Sequence, residues 1–229
     1  QEPSPSLTQG DVDGDGEITS GDAILILRFA AALQTPTADQ ISAGDVDRDN
    51  EITSGDAILI LRFAVGLIRA FPKPVATQPT IASIDVHVSA AKRRPDGALP
   101  LTFTLDHTED TTGGDMFLTY APAHDRPIDI QLAGLSPQAL SVINTKQAGQ
   151  VRISFVQLED RLVSGQIVLH VLFPSIHQAA PLEVSLRGRF YNEGGQPIKE
   201  ARLTQTVGLA LPAVYALRQN YPNPFNPTT

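Results

Sequence analysis

GDVDGDGEITSGDAILILRFAAAL, residues Gly10 to Leu33, returns 34 residues later as GDVDRDNEITSGDAILILRFAVGL, residues Gly44 to Leu67, with four of 24 positions changed. A duplication this strict implies two copies of one structural unit. In the first copy Asp11, Asp13, Asp15 and Asp22 stand at positions 1, 3, 5 and 12 of a loop, with Gly16 at position 6. In the second the same places hold Asp45, Asp47, Asp49 and Asp56, with Asn50 at position 6. Each loop runs into the apolar stretch AILILRFA.

This is the spacing of an EF-hand calcium loop. Calcium takes roughly six to eight oxygen ligands, so a short loop must aim several carboxylates at one point and add the backbone carbonyl of position 7. Glu17 and Glu51 occupy that position. Their carbonyls are the expected ligands and their side chains are free. Position 6 commonly needs φ > 0, which glycine adopts without cost and asparagine better than most residues. Loop two is therefore expected to form, and to bind slightly more weakly. Position 12 carries Asp in place of the usual Glu, so its carboxylate must approach from a closer helix start. Thr19 or Ser20 is the expected helix cap, and a ligating Asp22 is not expected to close a capping box as well. Two calcium ions are expected.

Two such loops, each followed by AILILRFA and separated by about one helix, resemble a dockerin module, a calcium-dependent plug that docks into a cohesin domain. The resemblance covers Gly10 to Ile68. It implies partner contacts at loop positions 10 and 11 and at a basic residue further on: Ser20, Gly21 and Arg28 in one repeat, Ser54, Gly55 and Arg62 in the other. The family more often carries a hydroxyl where Gly21 and Gly55 stand. Ile24 and Ile58 lie on the same helices and join the expected contact set. Docking in either of two orientations related by a half-turn is also implied. The helices favour docking independently. Ala23 to Leu27 are apolar nearly all round, where a surface helix shows one apolar stripe. A module of about 60 residues has too little core to bury two such helices, and a leftover apolar face marks an interface.

The chain has 229 residues and a net charge of −8. Residues 1–70 carry 12 acidic and 4 basic side chains, whereas the remainder is balanced, so the whole excess sits with the acidic loops. That distribution points to metal binding. No basic tract suggests nucleic acid, since Lys92, Arg93 and Arg94 read as a solvated turn, and no apolar run reaches membrane-span length. The absence of cysteine excludes disulfides, a thiol nucleophile and thiolate metal sites. Calcium loops of this kind stay filled where calcium is near millimolar, so a secreted, extracellular or cell-surface location is expected. The start QEPSPSLTQ fits either a removed signal peptide or a boundary within a longer chain.

In chain order, residues 1–9 are a polar lead and 10–70 the calcium-binding module. Within it QTPTADQISAG predicts a short helix with Thr37 as N-cap, Gln40 at N3 and a stop at Gly44. FPKPVATQPT, residues 71–80, is a semi-rigid linker that spans roughly 30 Å if extended and is expected to hold two domains apart. Residues 81–211 change to a period of two. SIDVHVSA, LPLTFTLDH, DMFLTYAP, PIDIQLAGL, VRISFVQL, QIVLHVLF, LEVSLRGRFY and ARLTQTVGLAL predict eight or nine strands in a sandwich of jelly-roll or immunoglobulin type. The fold class is thus α plus β, a small all-α EF-hand-like module joined to an all-β sandwich. The strand order and the GGDMFLTYAP segment resemble a cohesin domain. Residues 212–229 include YALRQNYPNPFNPTT, which resembles the opening of the C-terminal sorting domain of type IX secretion. Asp110, Thr111 and Thr112 resemble the short O-glycan acceptor motif of bacteria with that route, with Thr111 as acceptor.

No GxSxG elbow, HExxH, P-loop or GxGxxG motif is present. The five histidines are scattered, and the acidic group Asp106, Glu109, Asp110 and Asp115 could hold an extra cation or a glycosidase pair, though as a loop rich in Thr and Gly it reads first as solvated. The expectation is a non-catalytic assembly protein in which plug and socket share one chain and dock between copies, head to tail, as a filament. The alternative is an adaptor of a cellulosome-like surface complex that binds a foreign cohesin and holds an enzyme or a glycan on its sandwich.

Overall fold

A computed structural model describes residues 7–73, 80–121, 125–158, 165–174 and 181–207. The duplicated segment forms α1 (Ser20–Ala30) and α3 (Ser54–Ala64), with α2 (Ala38–Gly44) between them. Thr37 caps α2, and Gln40 closes its capping box. Thr19 and Thr53 cap the long helices with nearly the same backbone angles, φ −130° and −135°. Capping boxes are present there too, through Asp22 and Asp56. The expectation that Asp22 would not close one is therefore corrected. Each carboxylate oxygen has two lone pairs, so accepting an N–H does not use up its acceptor capacity.

The remaining described residues form ten strands: β1 (Ala82–Ile84), β2 (Val86–Ala90), β3 (Leu99–Leu105), β4 (Gly113–Tyr120), β5 (Asp129–Ala133), β6 (Leu140–Asn144), β7 (Gln150–Val156), β8 (Ile167–Phe173), β9 (Leu182–Tyr191) and β10 (Pro197–Val207). They make a six-stranded sheet, β1-β10-β9-β4-β7-β6, and a four-stranded sheet, β2-β3-β8-β5. Strict alternation along β3 buries Leu99, Leu101, Phe103 and Leu105, and these meet Leu118, Ile153, Phe155, Phe173 and Phe190 in one core cluster. Aligned inner faces of two such sheets are what a sandwich requires.

Two features exceed the strand expectation. The run SIDVHVSA breaks at Asp85: Ala82–Ile84 pairs in parallel with β10 in the larger sheet, and Val86–Ala90 pairs antiparallel with β3 in the smaller. Strand β6 was not anticipated. Its residues alternate poorly because several of its side chains have company: Ile143 packs on the sandwich core, Leu140 and Val142 on the helical cluster, and Asn144 is buried.

The helical module lies against the outer face of the larger sheet. One apolar cluster joins Val12, Ala23, Ile26, Leu27, Val46 and the α3 residues Ala57–Leu61 to Val156 and Tyr191 of the sandwich. The expectation that the 71–80 segment would hold the two parts apart is overturned by this packing. The cause is the surplus apolar surface on the helices, which is covered by the chain's own sheet.

Candidate metal loops and docking interface

The acidic loops are built by backbone bonds to their own carboxylates. Asp11 accepts from Gly14 N at 2.8 Å and Gly16 N at 3.1 Å, and Asp15 accepts from Glu17 N at 2.8 Å. Loop two differs at one donor: Asp45 accepts from Asp49 N, at position 5 in place of 4, and from Asn50 N, at 3.1 and 3.2 Å, and Asp49 again accepts from Glu51 N, at 2.7 Å. Gly16 has φ 94° and Asn50 φ 69°, as position 6 requires, but position 4 is left-handed as well, with Gly14 at 79° and Arg48 at 62°. A left-handed Arg48 had no sequence signal beyond its alignment with Gly14.

The ligand oxygens of Asp11, Asp13 and Asp15 lie within 4.8 Å of one another, as do those of Asp45, Asp47 and Asp49. Asp22 and Asp56 are fully buried behind these groups. Asp22 accepts from Val12 N at 2.7 Å and Thr19 N at 2.9 Å, and Asp56 from Val46 N at 2.9 Å and Thr53 N at 3.0 Å. The crowding has an electrostatic signature. Burial, and then the charge of Asp49, push the Asp47 carboxyl up to about 6. Burial and then Asp47 hold Asp56 well above the usual carboxylate range. A dication among these groups would reverse that penalty. An all-oxygen donor set converging on one point suits a hard cation such as calcium. Asp11, Asp13 and Asp15, and Asp45, Asp47 and Asp49, are the residues that would hold it.

The two long helices share the sequence SGDAILILRFA, so any difference in their surroundings comes from outside that shared stretch. In α3 the residues Ser54 through Leu61 are all buried, whereas in α1 Ser20, Gly21 and Arg28 are exposed and Ile24 is half-buried. The second repeat is the one seated on the sheet. Ser54 N donates to Asp115 Oδ2 at 3.0 Å, and Ser54 Oγ lies 2.7 Å from Asp115 Oδ1 and 3.1 Å from the Gly114 carbonyl. Ser154 Oγ adds a donor to Asp115 at 2.7 Å. Burial pushes the Asp115 carboxyl up, and these donors offset part of that rise. Burial, followed by the charge of Asp115, also pushes the neighbouring Tyr191 phenol up.

Close backbone approach completes the seat. An ideal Cβ on Gly55 would lie 2.4 Å from the Gly195 carbonyl, and one on Gly113 would lie 2.8 Å from the Ile58 side chain. At the rim, Arg62 pairs with Glu193 at 3.2 Å and Arg189 with Glu51 at 2.7 Å. On the α1 side, Asn144 Nδ2 donates to the carbonyls of Ala31 at 2.8 Å and Ala32 at 3.1 Å.

Of the expected partner contacts, Ser54, Gly55, Ile58 and Arg62 thus come together against the sandwich, while Ser20, Gly21, Ile24 and Arg28 do not. Three expectations need correction. The Glu51 side chain is not free, because it reaches Arg189. Asp115 is no part of a solvated acidic loop, because it stands on β4 under Ser54. Thr111 is fully buried, so its hydroxyl offers no glycan acceptor in the folded chain. Leu59, Asn144, Tyr191 and Gly195 were missed, since nothing in one sequence marks which sheet positions meet a helix. The segment resembling a sorting domain lies outside the described residues.

Residues 9–63 match the family described as dockerin type I domain. Three cohesins are among the solved structures to which the chain is similar. The non-cellulosomal cohesin of the archaeon Archaeoglobus fulgidus is 11% identical, covering 54% of this chain and 91% of its own, with a TM-score of 0.42. The sixth cohesin of Acetivibrio cellulolyticus scaffoldin B, solved in complex with a dockerin, is 13% identical over 56% of this chain and 99% of its own, at 0.43. The cohesin module of a Clostridium perfringens family 33 glycoside hydrolase is 11% identical over 56% of this chain and 98% of its own, at 0.43. No curated protein matches the chain.

Proposed function

We propose that this chain is a calcium-dependent, non-catalytic docking protein whose dockerin-like module seats its second repeat on the outer face of its own sandwich. The observation that carries this reading is the unequal burial of two helices of one sequence, Ser54 enclosed against Asp115 and Ser20 exposed. Filled loops would fix the starts of α1 and α3, because Asp22 and Asp56 tie each helix cap to the start of its loop, at Val12 and Val46. Calcium at extracellular concentration would keep the loops loaded, which supports a secreted or cell-surface setting.

Docking within the chain changes the expected assembly. A linker of this length gives the tethered module a local concentration of roughly millimolar, so closure within one chain wins at ordinary protein concentration. The head-to-tail filament then requires exchange of modules between copies, with the same contacts made in trans. A foreign cohesin would have to displace the chain's own sandwich in the same way. In calcium at micromolar concentration the full chain is therefore expected to be a compact monomer by light scattering, with oligomers emerging only towards millimolar. Calcium-dependent polymers at micromolar concentration would overturn closure within the chain, and no calcium response in shape or mass would overturn the docking role.

A further inference from the structure

We propose that the helix C-cap residues, Ala31–Ala32 in the first repeat and Val65–Gly66 in the second, decide which repeat meets β4. The inference rests on the docking reading above. Glu17 to Ala30 and Glu51 to Ala64 are the same fourteen residues, so the docking helices themselves cannot discriminate between orientations.

Only four positions differ between the repeats. Two of them, Gly14 against Arg48 and Gly16 against Asn50, are exposed in the loops. Arg48 reaches Gln9 within the module, and a Cβ on Gly16 would meet nothing within 4 Å. Neither pair faces the sheet through any of these contacts. The cap pair does. Ala31 is 0% exposed beneath Asn144 of β6, whereas Val65, its counterpart, is 51% exposed. The backbones of the two caps agree, with Ala31 at φ −76°, ψ 1° and Val65 at φ −91°, ψ 6°, followed by left-handed Ala32 and Gly66. Asn144 could therefore reach the carbonyls of either cap, and the side chain is what differs. A half-turn of the module would drive the two extra methyl groups of Val65 into the closed site that Ala31 fills. Overpacking of that size shifts an equilibrium by roughly ten-fold or more.

The chain has no cysteine, so introduced pairs report orientation without background. Arg62 stands at Glu193 in the observed seat, and Arg28 would replace it after a half-turn. A disulfide needs Cβ atoms within about 4.5 Å, closer than an Arg–Glu pair meeting at its side-chain tips requires. The introduced thiols are therefore joined with a bis-maleimide whose spacer matches the reach of the two side chains removed. In the full chain with calcium, Arg62→Cys with Glu193→Cys is expected to be bridged within one chain at least roughly ten-fold more than Arg28→Cys with Glu193→Cys. Exchanging the caps (Ala31→Val, Ala32→Gly, Val65→Ala, Gly66→Ala) is expected to invert that ratio. The single change Val65→Ala, which leaves the observed seat untouched, should raise the Arg28→Cys yield. Equal yields from both pairs in the parent chain would overturn orientation selection and leave docking standing. A preference that neither cap change alters would overturn the role of the caps. No cross-link from either pair would overturn the docking reading itself.

Discussion

Gly55→Ala is expected to lift the module from the sandwich in calcium, while Gly21→Ala, the same change in the other repeat, leaves it seated. The two glycines occupy the same place in helices of one sequence, and an added Cβ at either meets its own threonine cap at 3.1 Å. Only at Gly55 does it also meet backbone, the Gly195 carbonyl at 2.4 Å, with the Tyr191 ring at 3.2 Å. A carbonyl in a strand turn cannot rotate aside as a side-chain end can. Overpacking of this kind destabilises by about 1–3 kcal/mol, concentrated here on the interface. Replacing glycine by alanine within a helix otherwise stabilises by about 0.5–1 kcal/mol. The two variants should therefore differ in sign: Gly55→Ala loses calcium-dependent compaction in small-angle scattering, and Gly21→Ala keeps it with an equal or higher melting temperature. Equal behaviour of the two would place the seat elsewhere.

Chelation is expected to unfold the module and spare the sandwich. Without a cation each loop holds its carboxylates together against mutual repulsion, the condition that pushes Asp47 up to about 6 after burial has acted. Filling one such site at about a hundred times its dissociation constant stabilises by about 2.7 kcal/mol, and each of the two acidic loops that took a cation would contribute such an amount. Because folding and metal binding are linked in small metal-dependent modules, amides of residues 10–68 should lose protection in chelator. The sandwich core around Phe103, Phe155, Phe173 and Phe190 should keep its protection, since its cluster is separate from the helical one. Val156 and Tyr191, shared with the helices, would become exposed. Equal amide protection with and without chelator would contradict this coupling.

The acidic loops and the helix starts were legible because their signals are local. Aspartate spacing, Thr19 and Thr53 before each helix, and Thr37 with Gln40 each specify geometry within a few residues. The sandwich was legible through alternation, as in LPLTFTL, wherever one face meets the core and the other does not. Both signals fail where a residue answers to something distant. Strand β6 serves the core, the helical cluster and a helix cap at once, so its alternation is blurred. Asp115 looks like one more loop acid until Ser54, 61 positions away, is placed over it. The 71–80 segment reads as a spacer from its prolines, yet the apolar surface of α3 decides where the module rests.

The exchange rate of two backbone amides tests the central claim most directly. Ser20 N–H and Ser54 N–H open identical helices, where no intrahelical acceptor is available to either, and among the described residues only Ser54 N–H has a partner across the interface, at Asp115. In the calcium-loaded full chain, exchange measured by NMR is predicted to be much slower at Ser54 than at Ser20. Equal rates at the two serines would mean that the second repeat is not held against its own sheet.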